Sequence, residues 1–422
     1  MKNHALPHHP TVVRHDRRQR PAVGVFEFCA EHFLLFPIGA AIAIVWANLA
    51  GESYFRFAQM FGFLVNEVGM AFFFALIAQE IVEAVMPGGA LHSWRRWGLP
   101  IIAAAGGIIG AALTYVAWVH QQYQLVLVQA WPVACAMDIA VAYYVLRSIS
   151  RRSGVLPFVL LLGIATNLFG VIIVALQGPP VETRMTGMVL VLVALGSALI
   201  LRVWRIPTFW PYLALCGTAS WWAFYWIGIH PALAFLPIVP LLPREPRKLD
   251  LLAPPPDDDA THHFEHEWHN LVQIILFFFG LVNAGVLLDR LDAGTWALLA
   301  ASMVGRPVGI LAAIGLAILA GMHLPPRVGW RELVVMAVAT SSGFAFALFL
   351  AAELLPLGPV RDQLTMAALL TIVGAAITYA VAWLLRIGRY GRRSERASAS
   401  ERASASEEPS SRPEREAPWH SA

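Results

Sequence analysis

The feature that most limits what this chain can fold into is a series of apolar runs, each about long enough to cross hydrocarbon, spread between residues 31 and 387. A spanning helix needs about 20 mostly apolar residues, and a backbone in lipid must satisfy its own hydrogen bonds, which leaves only helices or closed barrels. The runs are continuous rather than alternating, so they read as helices. They fall at 31–50, 64–86, 98–119, 127–149, 155–178, 185–204, 208–228, 230–243, 268–288, 296–320, 330–355 and 363–387. The eighth, HPALAFLPIVPLLP, is short and rich in proline. Charged residues make up only 14% of the 422, against about one quarter in a soluble domain. The expected fold is an all-α membrane protein of about twelve transmembrane helices, with residues 31–388 forming the transmembrane domain and the lipid bilayer as its first partner.

Basic residues set the orientation, because cytoplasmic loops collect Lys and Arg. With the N-terminus inside, the internal segments hold Arg14, Arg17, Arg18 and Arg20, then Arg95 and Arg96, then Arg147, Arg151 and Arg152. Arg202, Arg205, Arg244, Arg247, Lys248, Arg327 and Arg331 continue the pattern, and Arg386, Arg389, Arg392 and Arg393 close it. The external segments carry only Arg56, Arg184, Arg290 and Arg361. This distribution predicts a multi-pass protein of the inner (plasma) membrane with both termini cytoplasmic. Residues 1–30 lack a compact apolar run with a small-residue cleavage site and read as a disordered cytoplasmic tail. Residues 389–422 contain a tandem ERASAS repeat that cannot bury a core and read as a second disordered tail.

Ionisable groups inside apolar spans are costly and mark functional candidates. Asp138 and Arg306 lie mid-span, and Thr166 and Asn167 lie within GIATNLFG. Glu67 and Glu80 share the second span, with Glu67 near the external end where water can reach it. Asp138 and Arg306 are opposite charges on separate helices, so the sequence predicts that they pair; a purely structural salt bridge is the competing reading. Small residues around Pro132 and Ala134, and again at Ser341, Ser342 and Gly343, predict two interrupted helices. Paired interruptions point to a transporter site near the midplane, although small residues also serve ordinary helix packing.

The motifs FLVNEVGMAFFFALIAQE, GLPIIAAAGGIIGA, WPVACAMDIAVAYYVL, GIATNLFGVIIVAL and GIHPALAFLPIVPLLP resemble the NhaA-type sodium/proton antiporters in order and spacing. FEHEWHNLVQIILFFFGLVNAGV, GRPVGILAA and SSGFAFALFLA extend the likeness, which covers about residues 30–388. The resemblance implies inverted repeats with two discontinuous helices and exchange of Na+ or Li+ for H+. It places the family's fourth-helix aspartate at Asp138 and its tenth-helix lysine at Arg306, and the family's two adjacent aspartates at Thr166 and Asn167. It also matches Glu80, Glu265, His266 and His269 to the family's pH-sensing region and implies a possible homodimer. HHFEHEWH also reads as a solvated helix start or a metal-binding tract.

The departure at 166–167 has a physical consequence. A hydroxyl and an amide offer oxygens to a cation but do not exchange protons near neutral pH, and arginine, unlike lysine, does not give up its proton. The expected function is a secondary transporter that exchanges Na+ or Li+ for H+ at an altered site. The alternatives are an NhaA-like fold that moves another solute, such as an anion, or a non-transporting sensor or scaffold. No nucleophile–base pair and no phosphate-binding glycine loop stands out, and HEWH lacks the HExxH spacing. Cys29, Cys135 and Cys216 form no metal-type spacing. No enzyme, cofactor, metal or nucleic-acid role is expected.

Overall fold

The computed structural model describes residues 34–85, 94–150, 154–176, 185–206, 208–242, 260–288, 291–324 and 328–390. Side chains of 84, 85, 94–97 and 260–270 lie outside that description. The expected tails fall outside it too, apart from Arg389 and Tyr390. Among the described residues every regular element is helical.

The front half comprises α1 (Leu35–Leu49), α2 (Gly51–Phe63), α3 (Met70–Val85), α4 (Trp94–Gln121), α5 (Trp131–Ala134), α6 (Ile139–Ile149), α7 (Val155–Leu176), α8 (Met185–Val203) and α9 (Thr218–Ile227). The back half comprises α10 (Ala260–Asn283), α11 (Ala293–Ala300), α12 (Arg306–Leu319), α13 (Trp330–Ala339), α14 (Phe344–Leu354), α15 (Pro359–Leu370) and α16 (Val373–Leu384). π-Helical turns at Leu64–Gly69 and Ala301–Gly305 join α2 to α3 and α11 to α12, and a third, Tyr212–Gly217, leads into α9.

Six of the resulting helices are long and apolar enough to cross a membrane: Gly51–Glu83, Gly98–Gln121, Val155–Leu176, Met185–Val203, Ala293–Leu319 and Pro359–Leu384. Two further pairs reach that length together, Leu125–Ala134 with Ile139–Ile149 and Trp330–Ala339 with Phe344–Leu354, bent by 52° and 43° at short breaks. Shorter apolar helices occupy Leu35–Leu49 and Leu271–Asn283. This is a multi-pass membrane protein. Its outer face agrees, since Val45, Leu49, Leu113, Leu192, Leu316 and Leu319 all point outward, where apolar side chains meet lipid without penalty.

Two expectations about the spans are corrected. Residues 51–63 lie between the first two expected spans, yet they form α2 and run through a π-helical turn into α3. Arg56 there pairs with Glu52 at 2.7 Å on one exposed helical turn, so its charge does not end the helix. The eighth run is not an α-helix at all. It holds two single-turn 3-10 segments, Pro231–Leu233 and Val239–Leu241. Proline lacks the donor that helix continuation requires, and non-helical backbone at membrane depth must be buried in protein. Here Ala232, Leu233, Ala234, Ile238, Val239 and Leu242 are all buried. Side chains meet part of the freed backbone: Ser220 Oγ donates to the Ala234 carbonyl at 2.7 Å and Arg202 Nη1 to the Pro240 carbonyl at 3.1 Å.

Close helix contact fixes the bundle. Gly106 and Gly110 of α4 face Gly305 and Gly309 at the start of α12. A Cβ on Gly309 would overlap the Gly106 carbonyl oxygen, and one on Gly110 would overlap that of Gly305. Without a hydrophobic force between helices in lipid, such backbone proximity supplies the packing energy. Gly39 of α1 and Gly280 of α10 make a second contact of the same kind, each facing backbone of the other helix. Around these seams an aromatic core forms, with Phe74, Phe279, Phe346 and Phe349 buried and in ring contact.

Candidate functional site

The two bent pairs break where the sequence runs out of helix-compatible hydrogen bonding. After α5, Cys135 and Ala136 close tight turns onto Pro132 and Val133, and the chain then extends at Asp138. After α13, Thr340 and Ser341 close similar turns before Gly343 opens α14. The breaks lie against each other: the Asp138 amide donates to the Ser342 carbonyl at 2.9 Å. A side chain at Gly343 would run into the Ala136 carbonyl. Of the residues expected to mark the breaks, Ser341, Ser342 and Gly343 lie in the second one, whereas Pro132 and Ala134 lie inside α5, before the first. Pro132 sits in the first turn of its helix, where a missing donor costs nothing.

Four helix ends therefore meet at one place. Asp138 receives the two N-terminal ends: Oδ1 accepts from the amides of Ala140 at 3.1 Å and Val141 at 3.3 Å, and Oδ2 from that of Ala345 at 3.5 Å. Arg306 receives the two C-terminal ends, with Nη1 donating to the Thr340 carbonyl at 2.9 Å and Nη2 to the Ala134 carbonyl at 2.6 Å. Helix N-termini carry partial positive charge and C-termini partial negative charge, so each residue offsets a pair of like ends. The expected Asp138–Arg306 ion pair is not formed: the donors of Arg306 go to backbone carbonyls and the oxygens of Asp138 to backbone amides. The insertion cost of each charge is met by helix ends rather than by the other charge.

A cavity of about 780 Å³ reaches Asp138 from one end of the bundle. Asp138 and Asn167 line it in depth, and Glu80, Glu83, Tyr144 and Arg147 line it towards the surface. Glu80 and Arg147 are exposed, so water reaches the cavity. The four residues singled out at the inferred centre thus divide. Thr166 is buried with its hydroxyl donating to the Leu162 carbonyl at 2.9 Å, and Arg306 is 2% exposed; neither lines the cavity. The hydroxyls of Ser341 and Ser342 are buried at the crossing without hydrogen-bond partners. Glu265, His266 and His269 belong to α10, but their side chains lie outside the described residues.

A second polar group escaped the sequence reading. His230 Nε2 lies 2.6 Å from Glu353 Oε2 and 4.0 Å from Glu67 Oε1, with all three side chains mostly shielded. Glu67, expected where water reaches it, is 23% exposed at its side chain, while its Oε2 is buried without a hydrogen-bond partner. The sequence carries a signal for it: Glu353 interrupts the apolar FLAAELLPL and His230 opens HPALAF.

Residues 30–385 match the sequence model of the family described as Na+/H+ antiporter 1. The chain belongs to this family. Its similar relatives include the Na(+)/H(+) antiporter NhaA of Desulfitobacterium hafniense, 35% identical over 372 residues that cover 85% of this chain and 96% of the relative. The protein of the same name from Geotalea uraniireducens is 34% identical over 368 residues, 84% of this chain and 95% of its own. The one from Jannaschia sp. is 31% identical over 418 residues, covering 86% and 98%. The likeness to NhaA antiporters therefore spans the whole helical bundle, including both breaks and the cavity.

Proposed function

We propose that this NhaA-type protein is a secondary transporter of the plasma membrane that exchanges Na+ or Li+ for H+ by alternating access about the crossing of its two interrupted helices. The observation that carries the reading is Asp138, a carboxylate at the floor of a water-accessible cavity and at the contact between two interrupted helices. Non-helical backbone at such a crossing can give a cation carbonyl oxygens in exchange for water. Asp138 is the ion-responsive carboxylate, Asn167 is a neutral oxygen ligand beside it, and Arg306 holds the crossing together from behind. Thr166 supports the helix next to Asn167 rather than offering its hydroxyl to the cavity. The homologues named for sodium/proton antiport support the choice of ions.

An anion or other solute recruited by Arg306 was the main alternative, and the geometry weighs against it. Both donor arms of Arg306 are spent on helix carbonyls, away from the cavity. The deciding experiment is cation-driven proton movement in proteoliposomes, with Na+, Li+ and K+ supplied in turn to the wild type and to Asp138→Asn. Flux that is present in the wild type and lost in the variant supports the reading. A well-folded wild type that moves no protons with any of the three cations overturns it.

A further inference from the structure

The Glu67–His230–Glu353 cluster lies on the far side of the helix crossing from the cavity. Glu67 and Glu83 belong to one continuous helix, 16 residues and so about 24 Å apart at 1.5 Å per residue. Glu353 stands nine residues beyond Phe344, about 14 Å along α14 from the crossing. Ligating atoms of the three side chains all fall within 4.8 Å of one another. Arg361 of α15 adds a positive charge near Glu353, with Tyr54 and Asp362 close to it in turn. Arg361 Nη2 also donates to Asn283 Oδ1 at 3.3 Å.

The hydrogen bonds assign the protons. His230 Nδ1 accepts from the Ala232 amide at 3.1 Å, so Nδ1 carries no proton and the ring is the neutral tautomer with its proton on Nε2. That proton is donated to Glu353 Oε2 at 2.6 Å, so of the two carboxylates Glu353 is the one already supplied with a donor. Two carboxylates so close and so shielded do not both stay charged. Glu67 is then the one that holds a proton, and its buried Oε2, which lacks any donor, fits a neutral acid far better than a carboxylate. The same tautomer weighs against a transition metal, since a metal on Nε2 would need Nδ1 to carry the proton that the Ala232 amide blocks.

The geometry points to a second proton-binding site in this protein, a Glu67–Glu353 acid pair with the proton on Glu67 and His230 as a positioning residue. Its place in a transport cycle rests on the antiport reading above: it restores, on the opposite side of the crossing, the proton-exchanging capacity that Thr166 and Asn167 do not provide. The proton passes between water and Glu67 as the pathway opens on that side, with no other bond made or broken.

Infrared spectroscopy of the purified full-length protein tests the site without requiring transport. The wild type should show the carbonyl stretch of one protonated carboxyl at neutral pH. Glu67→Gln should abolish it by removing the acid, and Glu353→Gln by removing the neighbour that keeps Glu67 neutral. Asp138→Asn should leave it in place. Absence of the band in the wild type, or its survival in both Gln variants when Asp138 is also replaced by Asn, overturns the proposal. So does one equivalent of Zn2+ or Mn2+ bound at the cluster by a wild type that lacks the band, which would make it a metal site. In proteoliposomes, Glu67→Gln should reduce the protons moved per cation. An unchanged ratio would remove the pair from the cycle, whereas loss of all wild-type flux would count against the antiport reading and leave the infrared result standing.

Discussion

Asp138 and Arg306 sit at one helix crossing and serve opposite ends of the same interrupted helices, Asp138 the amides that begin α6 and α14, Arg306 the carbonyls that end α5 and α13. The two charges act through the backbone. This separates their roles: removing Asp138 alters a group that lines the cavity, and removing Arg306 strips a support that does not.

Arg306→Ala should therefore act on stability. It leaves the Ala134 and Thr340 carbonyls without their donors at the centre of the bundle, and each buried acceptor left unmet costs about 1–3 kcal/mol. Thermal unfolding in detergent should show a large fall in Tm. Arg306→Lys should recover part of it, since a single ammonium cannot span both carbonyls. An Arg306→Ala protein as stable as the wild type would contradict the assigned role.

Asp138→Asn keeps an oxygen for the Ala140 and Val141 amides but loses the charge that offsets two helix N-termini, a stability change of about 1 kcal/mol. Cation-driven proton movement should be abolished while Tm shifts only slightly. A collapse in stability matching that of Arg306→Ala would mean that Asp138 is structural alone.

Restoring a carboxylate should depend on which position receives it. Asn167 lines the cavity and Thr166 does not. Asn167→Asp is expected to add a proton-exchanging group beside Asp138 and raise the number of protons moved per cation, measured from the charge carried in a cation pulse. Thr166→Asp should lower stability by placing a carboxylate where a hydroxyl now bonds its own helix. Equal effects at the two sites would show that the cavity does not select between them.

Packing of α4 on α12 gives a test of the fold itself. Gly309→Leu drives a side chain into the Gly106 carbonyl and the Gly110 backbone, with strain of about 1–3 kcal/mol or more. Gly196→Ala, where a Cβ meets nothing within 4 Å, should be neutral or stabilising by up to about 1 kcal/mol. The unfolding temperature should fall for Gly309→Leu and stay level or rise for Gly196→Ala.

What the sequence could determine follows from what lipid demands locally. Apolar runs had to become helices because the bilayer offers no partner for an exposed backbone, and small residues near Ser341 and Gly343 marked one break because helix bonding fails there first. Asp138 and Arg306 were visible as candidates because a charge inside an apolar run is costly on any fold. Only tertiary structure decided what met those charges. The proline-bearing 230–242 run was long enough for a short helix, yet it remains 3-10 turns and coil because α3, α8 and α9 bury it and side chains such as Ser220 and Arg202 satisfy its carbonyls. Thr166 and Asn167 are adjacent in sequence, but a step of one residue turns a helix by about 100°, so only one of them reaches the cavity. Glu67, His230 and Glu353 are separated by more than a hundred residues and carry no shared motif; the bundle alone brings them to a common point, because electrostatic contact depends on distance in space and is blind to distance along the chain.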